Sequence, residues 1–197
     1  MVSIKKEGHG LFIAVTGTPG AGKSTFAKEI SDDLGITLIE INSIVESYRL
    51  FSETDDDGAK IAMIKPLTKK IKQLAGESLK NGAALIVGHL ACELGIRYDI
   101  AIVVRCQLEI LEQRLLDRGY GTEKLKENLM AEALDYCGVA AQERSDEVLE
   151  LDGSADKDVV IDYLKARIEG KPGAQPKLKQ IDRMPELLKF IEAGKLP

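Results

Sequence analysis

The chain has 197 residues, 44% hydrophobic and 30% charged, with 27 basic against 32 acidic side chains and a net charge of −5. That length suits one large domain, or a domain carrying a small insertion, with enough buried surface to need no covalent staples. The acidic balance disfavours a protein that grips nucleic acid by neutralising phosphates. The three cysteines, Cys92, Cys106 and Cys137, show neither CxxC spacing nor a nearby histidine ligand pattern, which excludes a disulfide scaffold or a zinc finger. The one strongly apolar run near the start, Leu11 to Val15, is too short for a secretory core or a membrane span. A soluble, cytoplasmic protein is expected. With no Trp and 5% aromatic residues, stacking platforms for bases are scarce.

Short apolar runs alternate with longer stretches of helical period, the pattern of βα units in an α/β fold built on a parallel sheet. The predicted strands are Leu11–Thr16, Thr37–Ile41, Ala84–Val87, Ile100–Arg105 and Val148–Leu151. Each is continuous enough to be covered on both faces, and five fit one open sheet. The first helix is predicted over Lys23–Leu34, with Gly35 at its C-terminal cap. A second, Ser43–Phe51, runs into the acidic stretch Glu53–Gly58, whose Asp55–Asp57 run reads as a solvated loop tip. From about Pro66, Leu67, Ile71 and Leu74 recur at helical spacing as far as Asn81-Gly82. Roughly 40 residues thus separate the second and third strands, more than a simple crossover needs, so an insertion over about 42–65 is expected to cover substrate.

After the fourth strand, Leu108, Leu111 and Leu115 mark a helix that stops at Gly119-Tyr120-Gly121. Thr122 suits the cap of the next helix, in which Leu125, Leu129, Ala133 and Cys137 share a face. Val159, Tyr163 and Ile168 belong to a closing helix ending at Gly170. A main domain over residues 1–170 is expected. Residues 171–197 form a linker, with Pro172, Gly173 and Pro176, and a short amphipathic helix on Leu187, Leu188 and Ile191.

The clearest chemical signal is Gly17-Thr18-Pro19-Gly20-Ala21-Gly22-Lys23-Ser24, a GxxxxGK[ST] loop between a predicted strand and a predicted helix. Gly17, Gly20 and Gly22 allow a backbone path and close approach that a Cβ would obstruct, so successive N–H groups can point at phosphate oxygens. The helix opening at Lys23 adds its own free N–H groups and dipole. Lys23 is placed to bridge the β- and γ-phosphates. The Ser24 hydroxyl can ligate Mg2+ and that of Thr25 can reach the α-phosphate. This is a binding site for a nucleoside triphosphate, and it makes the α/β fold a P-loop three-layer sandwich.

Three segments taken together, GTPGAGKST, Gly88-His89 after the third strand, and the RL..RGY..KL.EN..AE run from Arg114 to Ala133, resemble the adenylate kinase isoenzyme 6 family, also called CINAP-type ATPases. The resemblance spans about residues 11–152. It implies a nucleoside monophosphate kinase fold with an AMP-binding insertion after the second strand and a short lid near 117–127, ATP and AMP as substrates, and Mg2+ as cofactor. Arg114 and Arg118 lie four apart on one helix face, where guanidinium groups could stabilise a transferring phosphoryl group or simply be solvated. Arg118 is also carried over as an ATP contact. Gly119 and Gly121 flanking Tyr120 could hinge a lid or merely stop the helix.

His89 matches the family's motif histidine, which implies that it positions a water or a phosphate near the γ-position; a structural histidine is the plainer alternative. The family's preceding acidic residue is absent, because Val87 stands there. Glu40 and Glu93 are the candidates to replace it. On the acceptor side Asn42 and Ser43 open the helix that binds AMP in the family. Glu46 aligns with the family's arginine, and Arg49 is either a shifted phosphate ligand or solvated.

The leading expectation is transfer of the γ-phosphoryl of MgATP to AMP, with slow ATP hydrolysis. The alternatives are an assembly factor for the small ribosomal subunit, a role the resemblance implies, in which ATP turnover releases a ribosomal protein, a basic partner that an acidic chain suits, and a kinase for another small acceptor. The tail from Lys171 could contact such a partner or dock on its own chain.

Overall fold

The computed structural model describes residues 10–54, 60–153, 156–171 and 173–196. Five parallel strands form one sheet in the order β2-β5-β1-β6-β7: β1 (Leu11–Thr16), β2 (Thr37–Glu40), β5 (Ala83–Val87), β6 (Tyr98–Arg105) and β7 (Ser145–Asp152). β1 lies at the centre, with β5 on one side and β6 on the other. Alternation along β1 builds both faces of the core. Ile13 and Val15 join Phe26 and Ala27 of α1 (Lys23–Leu34), while Ala14 joins Leu67 and Ile71 of α3 (Ile64–Leu79). The strands read as unbroken apolar runs because helices cover both sides, which is why the α/β class and the five-stranded sheet are legible in the sequence.

The chain leaves β1 toward β2 and β5 on one side, then crosses to β6 and β7 on the other. A doubly wound sheet opens a crevice outside the carboxyl ends of its strands at such a reversal. The loop after β1 lies there.

Several predicted boundaries are corrected. α2 spans Ile41–Ser47, so Ile41 opens a helix rather than ending a strand, and Phe51 lies outside it. Arg49, at φ 50°, turns the chain out of the helix into a two-stranded antiparallel hairpin, β3 (Phe51–Thr54) and β4 (Lys60–Ala62). The sequence pattern did not announce this hairpin, because its short strands lack clean alternation. The Asp55–Asp57 run lies outside the described residues. The expected common face of Leu129, Ala133 and Cys137 is broken. α5 covers Thr122–Ala133, and Asp135 at φ 55° ends it and caps α6 (Tyr136–Arg144) by accepting from the Gly138 N–H at 3.2 Å. Gly121, not Thr122, is the N-terminal cap of α5.

α7 (Lys157–Ile168) closes the sheet side shared with α1. Beyond it, residues 173–183 are irregular, and α8 (Met184–Glu192) returns to the body. Leu187, Phe190 and Leu196 are buried in the main core. Glu186 accepts from the Leu108 N–H at 2.7 Å, capping α4 (Leu108–Asp117), and buried Arg183 pairs with Glu186 and Asp152. The tail therefore docks on its own chain. Among the described residues no helix is long and apolar enough to cross a membrane.

Candidate active site

The loop from Gly17 to Gly22 leaves the buried end of β1 and wraps into α1. Gly17, Gly20 and Gly22 take φ values of 135°, 92° and 110°. Gly17 is the most constrained: a Cβ there would lie 2.3 Å from the Val104 carbonyl oxygen of β6. No side chain fits between the loop and its neighbouring strand. Gly22 is the N-terminal cap of α1, so the helix opens at Lys23 with unpaired N–H groups facing the crevice.

Lys23 is only 8% exposed, and its Nζ donates to the Thr18 carbonyl at 2.8 Å. Burial lowers its pKa from 10.5 to about 8, and the Arg118 charge adds to the shift against the opposing pull of Cys137 and Glu132. His89 opens a short 3-10 turn (His89–Glu93) after β5. Burial, then the positive charges of Lys23 and Lys124, lower its pKa to about 4. It is therefore a neutral imidazole at physiological pH, not a cation.

Two following helices fasten the loop from outside. Arg114 of α4 donates through Nη1 to the Gly20 carbonyl at 3.0 Å and the Ala21 carbonyl at 3.5 Å. Glu132 of α5 is 1% exposed. One carboxylate oxygen accepts from the Thr18 hydroxyl at 2.7 Å, and the other accepts from Arg105 Nε at 2.8 Å and the Cys106 N–H at 3.1 Å. Arg105, 2% exposed at the end of β6, also donates to the Glu132 carbonyl at 2.7 Å and pairs with Asp135 and Glu150 at 2.6 and 3.3 Å. A buried charge is tolerated only when paired and hydrogen-bonded in this way.

Two cavities adjoin at the loop. The first, of about 280 Å³, is lined by the loop with Lys23, Ser24 and Thr25, by the strand ends at Glu40, Val87 and Gly88, and by Arg118 and Tyr120. The second, of about 830 Å³, lies between α2, β4, the 3-10 turn, α5 and the start of α6, and its charged residues are Glu46, Lys60, Glu93, Lys124 and Glu127. Pro19, Asn42, His89 and Tyr120 line both. They form the seam between the basin over the loop and a larger neighbouring one.

The AAA domain family matches residues 13–135, from β1 to the α5–α6 junction. A protein of Methanocaldococcus jannaschii named "Putative adenylate kinase" is 40% identical over 126 residues, 64% of this chain and 68% of the relative. One of the same name from Archaeoglobus fulgidus is 33% identical over 185 residues, 92% of this chain and 97% of the relative. The chain belongs to this family of P-loop kinases. Solved structures share the fold of the kinase at low identity. A shikimate kinase from Acinetobacter baumannii in complex with shikimate is 17% identical with a TM-score of 0.57, covering 83% of this chain and 96% of that one. A shikimate kinase from Bacteroides thetaiotaomicron is 17% identical with a TM-score of 0.53, covering 81% and 98%.

In this P-loop kinase Pro19, Gly20, Gly22, Lys23, Ser24, Thr25, Arg118 and His89 meet around the first cavity. Gly17 and Ala21 do not line this cavity, and Ala21 is buried in the core. Arg114 and Arg118 diverge: Arg118 lines the cavity, whereas Arg114 holds loop carbonyls. Asn42 lies on the seam. Ser43 instead donates to Glu40 at 3.0 Å and lines a hollow with Ile44 and Leu74 that Glu40 divides from the first cavity, lining both. Arg49 is exposed past the end of α2 and lines none of these three cavities. Glu46 pairs with Lys60 on the wall of the second cavity. Sequence reasoning did not single out Arg105 and Glu132. Their only local signal is an acid next to the apolar positions Leu129 and Ala133, inside the shared run ending at Ala133.

Proposed function

We propose that the chain is an adenylate kinase-type phosphotransferase of the isoenzyme 6, or CINAP-type, branch. It moves the γ-phosphoryl group of MgATP to AMP and hydrolyses ATP slowly when the acceptor is absent. The observation that carries this reading is the pair of adjoining cavities with Pro19, Asn42, His89 and Tyr120 at their seam. One basin has the N–H groups and lysine that suit a triphosphate, and the other has the room for a second substrate. The names of the archaeal relatives support the same acceptor.

Phosphoryl transfer asks the protein mainly to position two substrates and to stabilise charge on the moving group. An acceptor phosphate oxygen forms the new bond to the γ-phosphorus as the bond to the β–γ bridging oxygen breaks, leaving ADP on the loop. The loop N–H groups and cationic Lys23 hold the β- and γ-phosphates, and Arg118 takes up charge on the γ-oxygens. The Ser24 hydroxyl, a hard oxygen donor, suits Mg2+, which when bound neutralises phosphate charge. Neutral His89 at the seam orients a phosphate or a water by hydrogen bonds. Arg114 and Glu132 act through the loop, fixing the carbonyls of Gly20 and Ala21 and the hydroxyl of Thr18.

A kinase for another small acceptor is the second reading. The placement of Arg49 outside the larger cavity favours it, since the cations on that wall are Lys60 and Lys124. Coupled-assay turnover with ATP plus AMP, beside ATP alone, tests the proposal. AMP is expected to raise ADP formation well above the ATP-only rate, and Lys23→Ala to abolish both. If another acceptor stimulates turnover and AMP does not, the second reading replaces the first. If slow Lys23-dependent hydrolysis persists and no acceptor adds to it, the chain is an ATPase switch, and a basic ribosomal protein of the small subunit becomes the partner to seek.

A further inference from the structure

We infer that Glu40 supplies the carboxylate of the divalent-cation site that accompanies the bound nucleotide, an inference resting on the reading that a nucleoside triphosphate sits on the P-loop. Among the described residues lining the cavity over the loop, Glu40 is the one carboxylate. Its placement follows from the sheet. β2 and β5 run parallel with Glu40 opposite Val87. Side chains alternate along a strand, and Leu38, two residues before Glu40, packs against the cluster that contains Leu85, Val87, Val15 and Phe26. Glu40 is thus on the face that carries α1 and the loop, at the carboxyl end of its strand.

Two neighbours set this position. A Cβ at Gly88 would lie 2.9 Å from Ile41, so the glycine lets the start of α2 close onto the end of β5. The Ser43 hydroxyl, one turn into α2, donates to Glu40 Oε2 at 3.0 Å and restrains the carboxylate. Glu40 and the Ser24 hydroxyl offer hard oxygens to one cavity, the donor class that Mg2+ takes while keeping several of its waters. Glu93, the other acid considered for this role, lines the neighbouring cavity instead.

The test compares binding of the non-hydrolysable analogue AMP-PNP to the full chain in EDTA and with Mn2+, and reads the factor by which Mn2+ tightens binding. Glu40→Gln, a conservative change at an exposed position, is expected to lower that factor by about ten- to a hundredfold, the usual cost of a lost supporting group around a metal. Binding in EDTA should stay within about twofold of wild type, because the carboxylate acts only through the cation. Adding Val87→Asp to Glu40→Gln should restore the factor, since position 87 is the register partner of position 40. Glu93→Gln should leave it unchanged.

A wild-type factor in Glu40→Gln, an equal loss in Glu93→Gln, an equal loss in EDTA, or no recovery with Val87→Asp would each overturn the inference alone. Failure of the wild type to bind AMP-PNP under either condition would instead overturn the P-loop reading, and the inference with it.

Discussion

Glu132→Ala should be among the most damaging single substitutions in the molecule. It removes one carboxylate that serves the Arg105 guanidinium, the Thr18 hydroxyl and the Cys106 N–H, all within 2.7–3.1 Å. Breaking a buried pair by deleting one partner costs about 3–5 kcal/mol, because the remaining charge is left in low dielectric. Arg105 keeps Asp135 at 2.6 Å and Glu150 at 3.3 Å, which places the expected loss near the lower end, about 3 kcal/mol. Urea unfolding measures it directly, as a lower midpoint at unchanged slope. For a chain of this length the thermal midpoint should fall by about 6–12 °C.

ATP affinity should weaken in the same variant, because Thr18 no longer has a fixed partner at the base of the loop. The double substitution Arg105→Met with Glu132→Leu separates the two effects. Replacing both charges with apolar groups should recover much of the stability, whereas ATP binding should stay weak. A stability loss below about 1 kcal/mol for Glu132→Ala would refute the claim that the buried pair is structurally coupled to the loop.

The remaining predictions concern protonation. Lys23, with its pKa lowered to about 8 by burial, should lose its charge as pH rises through that value. Metal-free ATP affinity should therefore fall between pH 7 and 9, and Lys23→Arg should flatten the profile if that variant binds at all; a wild-type affinity unchanged across this range would contradict the assignment. His89, with a folded pKa of about 4 against 6.5 for the free side chain, should show an NMR titration midpoint well below 5. Between those two values the unfolded state binds more protons, so stability rises with pH and is lost as pH falls from 6.5 toward 4. The full shift is worth up to about 3 kcal/mol, and His89→Gln should remove that slope from the stability profile.

The elements most legible in the sequence are those whose instructions are local. β1, the loop and α1 lie where their residues predict, because an apolar run, three glycines with a lysine, and a helical repeat ending at Gly35 each specify their own backbone. The break at Asp135 was not legible. An apolar face continues through Cys137 at helical spacing, and only a left-handed backbone at Asp135, with its carboxylate capping Gly138, ends one helix and starts another. The β3–β4 hairpin is not legible because its strands are too short to show a period. The pairing of Arg105 with Glu132 is not legible either, because a charged residue in a sequence reads as a surface residue and its partner here is 27 positions away. Arg114 and Arg118 have the spacing of one helix face, yet Arg118 is the C-terminal cap of α4, so one grips the loop and the other faces the cavity. Spacing fixes direction from the helix, not what waits at the end of the side chain.

The two cavities differ in how they are held, and this bears on where substrate choice resides. The walls of the smaller one include the ends of two adjacent strands, β2 and β5, joined in register, and the loop after β1, fastened by Arg114 and Glu132. Charge on a moving phosphoryl group is best stabilised by dipoles that need no rearrangement, and such a frame supplies them. The larger cavity is walled by β4 of the hairpin, the short α2, the 3-10 turn, the α4–α5 corner at Tyr120, α5 and the start of α6. These elements lie outside the main sheet, where changes in length and sequence disturb the core least. A common frame can therefore keep the phosphate chemistry fixed while the acceptor wall varies, because function resides in sites grafted on a fold. In this chain the wall carries Lys60 paired with Glu46. Freeing that lysine with Glu46→Gln changes the charge seen by an acceptor without touching the loop, so its effect belongs in the acceptor KM and not in ATP binding.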